Sequence, residues 1–158
     1  QDRYSSIGQR AYNYKTTLRL IAEKPVFGHG TGAYHTEICR VLDDPNECQI
    51  YGWHSHNQFL FFGADYGLVG IAIYMALIWS AARIAWYAPT GAHRLMLLSL
   101  VGALVADSLI NSPLYSSRES HFFLYMLALL VVMCRDAGLN QPPDRLSNIE
   151  FNRAAHRK

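Results

Sequence analysis

The sequence predicts an all-α, multi-span helical membrane protein, and two observations lead there. First, polar and apolar residues are segregated along the 158 residues, which the overall mean hydropathy of +0.01 conceals. Residues 1–57 are polar and rich in tyrosine, residues 59–134 are mostly apolar, and residues 135–158 are polar again. Second, the apolar stretch divides into three successive runs, each near the roughly 20 residues that cross a bilayer. A single such run could be a buried core helix; three in succession argue for spans.

The first span is expected over about 66–87. From Tyr66 to Ala82, "YGLVGIAIYMALIWSAA" holds no charged residue. Gly63, Gly67 and Gly70 are placed to separate a short interfacial helix, near Asn57–Asp65, from the span proper. Trp79, Trp86 and Tyr87 stand toward the far end, as an interfacial aromatic belt would. The second span, over about 95–113, lies in "LMLLSLVGALVADSLINSPLY", whose one charge is Asp107. The third, over about 117–134, needs the helix to start near Ser116, carrying Arg118 and Glu119 into the interface. Arg83 and Arg94 flank the first turn, and Arg135, Arg145, Arg153, Arg157 and Lys158 follow the third span. By the positive-inside rule these sides are cytoplasmic. Residues 1–58 then form an outward loop region, 59–134 the three spans and 135–158 a cytoplasmic tail. The chain begins at Gln1 without a signal peptide pattern and is expected to be a piece of a longer protein.

Within the outer region, residues 5–24 are expected to be helical up to Pro25. Tyr14, Leu18 and Ile21 fall on one face and Arg10, Asn13 and Thr17 on another, a pattern suited to a helix lying on the membrane surface. "PVFGHGTGAY" follows, with Gly28, Gly30 and Gly32 alternating. It lacks the context of a dinucleotide fingerprint and the Gly-Lys-Ser/Thr of a P-loop. It reads as a flexible turn or as a backbone nest whose N–H groups approach an anion. Cys39 and Cys48 bracket "CRVLDDPNEC"; they are two free thiols or a disulfide closing a short loop, which requires an oxidising compartment such as the periplasm.

"WHSHNQFLFF", residues 53–62, puts His54, His56 and Asn57 at the lip of the apolar region. Three roles are open for the histidines. A His-x-His pair could hold a metal, but no third ligand is evident. One ring could be a general base, with an ordinary pKa of about 6.5. Or both could open the next helix and satisfy its backbone, with Asn57 as N-cap. Asp107 is costly inside a span unless it faces a polar cavity or a partner, and Asn111 lies one turn on; both are expected to line the bundle interior. A net charge of +2 without a basic, aromatic-interleaved stripe excludes a nucleic-acid partner.

An outer helix bearing Arg10, then "PVFGHGTGAY", a loop, "HSHNQFL" and the glycine-broken "GLVG" come in a specific order. That order resembles the O-antigen ligase and O-antigen polymerase superfamily, which includes bacterial O-linked oligosaccharyltransferases, from about Ser6 to Ile73. The resemblance implies a multi-pass inner-membrane glycosyltransferase of GT-C type with its site facing the periplasm. It implies an undecaprenyl-diphosphate-linked glycan as donor, the lipid A core of lipopolysaccharide as the favoured acceptor, and neither metal nor cofactor. His56 and Arg10 correspond to the family's catalytic histidine and arginine. His54, Asn57, Arg3, Gly30, Asp107 and Arg118 are assigned to substrate binding, and further family arginines would lie outside this chain. The membrane lipid around the spans is the remaining partner. A reading from another class is a transporter subunit with Asp107 as an intramembrane ion site.

Overall fold

The computed structural model describes residues 6–42, 48, 53–89 and 91–139. These residues form five helices and no strand: α1 (Ser6–Glu23), α2 (Tyr34–Val41), α3 (Gln58–Tyr87), α4 (Ala92–Ile110) and α5 (Ser117–Leu139). The fold is all-helical as expected, and α3, α4 and α5 are each long and apolar enough to cross a membrane. Arg3 and the tail beyond residue 139 lie outside the described residues.

Helix α1 stops before Pro25, whose ring disfavours a helical residue ahead of it. Its buried stripe is Asn13, Thr16, Thr17 and Leu20, while Leu18 is 54% exposed. Of the face read as polar, Asn13 and Thr17 turn inward while Arg10 stays exposed. Thr16 and Thr17 donate their hydroxyls to the carbonyls of Tyr12 and Asn13, four residues back, at 3.0 and 2.7 Å. Satisfied in this way, a threonine presents mainly its methyl group to the neighbouring helices. Thr17 also hydrogen-bonds the Tyr34 hydroxyl of α2 at 2.9 Å. Leu20, Tyr34, Ile38, Phe61 and Ala64 close one apolar cluster where α1, α2 and the start of α3 meet.

Helix α3 is broken at Gly67, with φ 64° and ψ −157°. The break removes the ladder bonds that Leu68 and Val69 would make to Ala64 and Asp65 four residues back. All four groups are re-satisfied by the loop after α1. Leu68 N–H donates to the Pro25 carbonyl at 2.8 Å and Val69 N–H to the Val26 carbonyl at 3.2 Å. In return His29 N–H donates to the Ala64 carbonyl at 2.9 Å and Gly30 N–H to the Asp65 carbonyl at 2.8 Å. In an apolar surrounding each such group left bare would cost several kcal/mol. The backbones approach so closely that a Cβ on Gly28 would overlap the Asp65 backbone, and one on Gly67 the Val26 backbone. Gly63 and Gly70 stay helical, so the interfacial piece of α3 ends at the second of the three glycines.

Asp65, 1% exposed, extends the same junction. Its carboxylate accepts from Gly32 N–H at 3.1 Å and Tyr34 N–H at 2.8 Å. It thereby caps the N-terminus of α2, where a negative charge is favoured. Of the alternating glycines only Gly32 gives its N–H to a carboxylate, that of Asp65, while those of Gly28 and Gly30 go to backbone carbonyls. At the other end of α3, Ala81 and Ala85 pack against Leu97 and Val101 of α4 and Leu127, Leu130 and Cys134 of α5. Between the two clusters, the hydroxyls of Tyr74 and Ser108 join α3 to α4 at 2.6 Å.

Gly67→Ala is expected to lower the thermal unfolding midpoint in detergent sharply. The left-handed backbone alone costs about 1–2 kcal/mol, and the Val26 overlap adds to it. Gly102→Ala, in open space on α4, is the control and should raise stability by roughly 0.5–1 kcal/mol.

Candidate functional site

The segment before α3 is built by capping. Asn57 is extended, at φ −160° and ψ 120°, and its Oδ1 accepts from Leu60 N–H at 3.1 Å. Its Nδ2 donates across to the Leu109 carbonyl at 3.1 Å. That carbonyl belongs to the last turn of α4, where helix carbonyls lack partners of their own. Ser55 Oγ donates to the Asn57 carbonyl at 2.6 Å, and Gln58 Oε1 accepts from Leu114 N–H at 2.9 Å. The start of α3 is thus tied to the end of α4 and to the α4–α5 turn by the side chains of two consecutive residues, Asn57 and Gln58.

His56 sits in this frame with φ at 54°, the one described non-glycine residue with positive φ. A left-handed histidine costs about 1–2 kcal/mol, and such strain persists only where surrounding contacts hold it. Here the Tyr14 hydroxyl of α1 donates to the His56 carbonyl at 2.9 Å, with the Leu109 carbonyl 3.3 Å away. The conformation stacks the two rings edge-on, with His54 and His56 centroids 4.1 Å apart at 64°. The His56 N–H donates to Nδ1 of His54 at 3.3 Å, so neutral His54 carries its proton on Nε2. Tyr115 closes the far side of His54 at 5.4 Å and touches Phe61 at 5.4 Å.

Burial lowers the pKa of both histidines. His56 is lowered further by the charges of His54 and Arg10. Arg10 stands exposed on α1, one turn before Tyr14. The two therefore reach the histidine pair from one helix face. The site sets a half-buried imidazole pair within the electrostatic reach of an exposed guanidinium, at the junction of α1, α3 and α4.

Of the residues expected to act, Arg10, His54, His56 and Asn57 come together. Gly30 does not join them: its N–H is given to Asp65 and its carbonyl accepts from Ala33 at 3.1 Å. Asp107 is half-buried on α4, and its neighbour Ser108 is the fully buried one. Its carbonyl accepts from Asn111 N–H at 2.7 Å. Arg118 is exposed in the first turn of α5, three residues beyond Tyr115. Neither Asp107 nor Arg118 hydrogen-bonds the histidine pair. Cys39 and Cys48 are joined by a disulfide with Cα atoms 4.9 Å apart. His35 Nε2 lies 4.0 Å from Cys39 Sγ, but sulfurs bonded to each other offer a metal no thiolate. Sequence reasoning missed Tyr14 and Tyr115; the spacing of four between Arg10 and Tyr14 was the available signal for the first.

Residues 1–75 match the family model described as O-antigen ligase. The matched stretch contains Arg10, the glycine loop, His54, His56, Asn57 and the break at Gly67, and it ends before Asp107 and Arg118. The match covers a little under half of the chain and is a similarity to that family over its first 75 residues. No curated protein and no solved structure matches the chain.

A histidine-detected NMR titration in detergent should find His56 losing its proton below the ordinary value of about 6.5. Arg10→Ala should move that titration upward, because it removes a positive charge that disfavours the imidazolium. An unchanged or lowered value in the variant would show that Arg10 does not act on this ring.

Proposed function

We propose that this chain acts as an O-antigen ligase, transferring a glycan from undecaprenyl diphosphate to the lipid A core of lipopolysaccharide at the periplasmic face of the inner membrane. The observation that carries the reading is His56: a strained, half-buried imidazole lowered in pKa, its carbonyl held by Tyr14 and the Arg10 charge acting on its ring. The family match over the same residues supports it.

In the proposed reaction His56 takes the proton of the acceptor sugar hydroxyl. That oxygen forms a bond to the anomeric carbon of the donor, and the bond from that carbon to the diphosphate oxygen breaks. The electron pair leaves with undecaprenyl diphosphate, and the guanidinium of Arg10 stabilises the charge that develops there. Arg3 shares that task. The His54 ring fixes the direction of the His56 ring, Asn57 holds the backbone beside it, and Arg118 and Asp107 bound the substrate region. The diphosphate also offsets the Arg10 charge that lowers His56, so donor binding restores part of the basicity of the ring, while burial and His54 keep it lowered. The positive charge comes from guanidinium groups in a GT-C arrangement with no metal. The apolar helices hold the polyprenyl chain while its diphosphate stays at the interface. Arg83 and Arg94, at the far end of the spans, face the cytoplasm on this reading.

The test uses the full-length protein in membrane vesicles, with lipid-linked glycan, lipid A core and a chelator. His56→Ala at matched protein level should cut transfer at least about 100-fold, the lower bound for a lost general base. Lengthening of the lipid-linked glycan without transfer to core would move the assignment to polymerase, and the absence of any glycan product would contradict the reading.

Two further outcomes are expected in that assay. The rate should rise with pH as His56 loses its proton and level off, with its midpoint below about 6.5 because the ring is lowered. Arg10→Ala should raise the donor concentration needed for half-maximal rate and lower the maximal rate by roughly 100-fold; unchanged donor dependence would remove Arg10 from the donor site.

A further inference from the structure

The end of α3 remote from the histidines carries a second cluster that the transfer reaction does not use. Trp79, Ala82, Arg83, Trp86 and Tyr87 line an open cavity of about 440 Å³. They recur at spacings of three and four and so share one face of the helix. The Arg83 guanidinium lies 5.8 Å from the Tyr87 ring centroid, and that of Arg94, from the first turn of α4, lies 5.8 Å from the Trp86 ring. Neither guanidinium has a carboxylate partner among the described residues. His93 and Arg94 also line an adjoining small cavity of about 130 Å³.

We propose that this cluster binds the phosphate headgroup of an anionic glycerophospholipid. Two guanidinium groups positioned over aromatic rings, with no carboxylate partner among the described residues, match a phosphodiester. The indole N–H groups add donors of the same sense. A lipid fits better than free phosphate because the face continues toward mid-span through exposed Met75, where an acyl chain would lie. Tryptophan and tyrosine at this depth mark the headgroup level, and basic residues there attract anionic lipid. The site stands apart from His56 and does not depend on the glycosyl-transfer reading.

The full-length protein is exchanged into detergent containing equal phosphatidylglycerol and phosphatidylcholine, and the lipids retained after purification are quantified by mass spectrometry. Wild type should enrich phosphatidylglycerol, and R83Q/R94Q should lose that enrichment, by about fivefold for each guanidinium. R83K/R94K, which keeps the charge, should retain part of it. Should the double glutamine variant fail to fold, R83Q and R94Q taken singly test the same loss. Enrichment that millimolar inorganic phosphate leaves intact supports a lipid ligand. Displacement by inorganic phosphate would overturn it in favour of a free anion. Equal retention of both lipids by wild type, or undiminished enrichment in the glutamine variants, would also overturn it.

Discussion

The rest of the structure depends on one exchange of backbone hydrogen bonds. Helix α3 gives up two ladder bonds at Gly67, and the loop from Pro25 to Gly30 takes up all four freed groups. A helix can break beside a membrane only where something replaces its lost partners. Here the replacement comes from the segment that follows α1, so the break and the position of α1 are one feature. Asp65 carries the constraint a step further by capping α2. Helix α2 bears Cys39, whose disulfide to Cys48 ties down the chain ahead of the histidine segment.

From that junction the candidate site follows. With α1 fixed against the first piece of α3, its Arg10 and Tyr14 face the residues that open α3. The end of α4 supplies the third wall through the Leu109 carbonyl, which both Asn57 and Tyr14 reach. Capping, usually a matter of helix stability, here sets the backbone of His56. The polar residues at the lip of an apolar segment thus serve two ends. Asn57 spends its amide and Gln58 its amide oxygen on the frame, and His54 and His56 are left with rings half-shielded from water and lowered in pKa.

Much of the fold was legible because its signals are local. The three apolar helices follow from long runs in which charge is nearly absent, and α1 ends where Pro25 requires. That Asn13 and Thr17 would pack inward was not legible on α1, because a threonine counts as polar in any periodicity while its hydroxyl is satisfied within the helix. The break could be narrowed to Gly63, Gly67 or Gly70 but no further. The choice among them rests on which glycine meets the Pro25–Gly30 loop, and that is a tertiary fact. Likewise His54, His56 and Arg10 stood out by residue type and order. The Tyr14–Leu109 contact, across 95 residues, had no local trace, and neither did the positive φ of His56.

The central claim is that the Pro25–Gly30 loop stitches the α3 break and so holds α1 against the histidine segment. Amide hydrogen exchange in the full-length protein, read at single residues, tests it most directly. The account predicts that His29, Gly30, Leu68 and Val69 are protected despite lying in a loop or at a helix break, and that Gly67→Ala strips protection from all four together with the amide of His56. Rapid exchange of these amides in the wild type, or loss at Leu68 and Val69 alone in the variant, would contradict it.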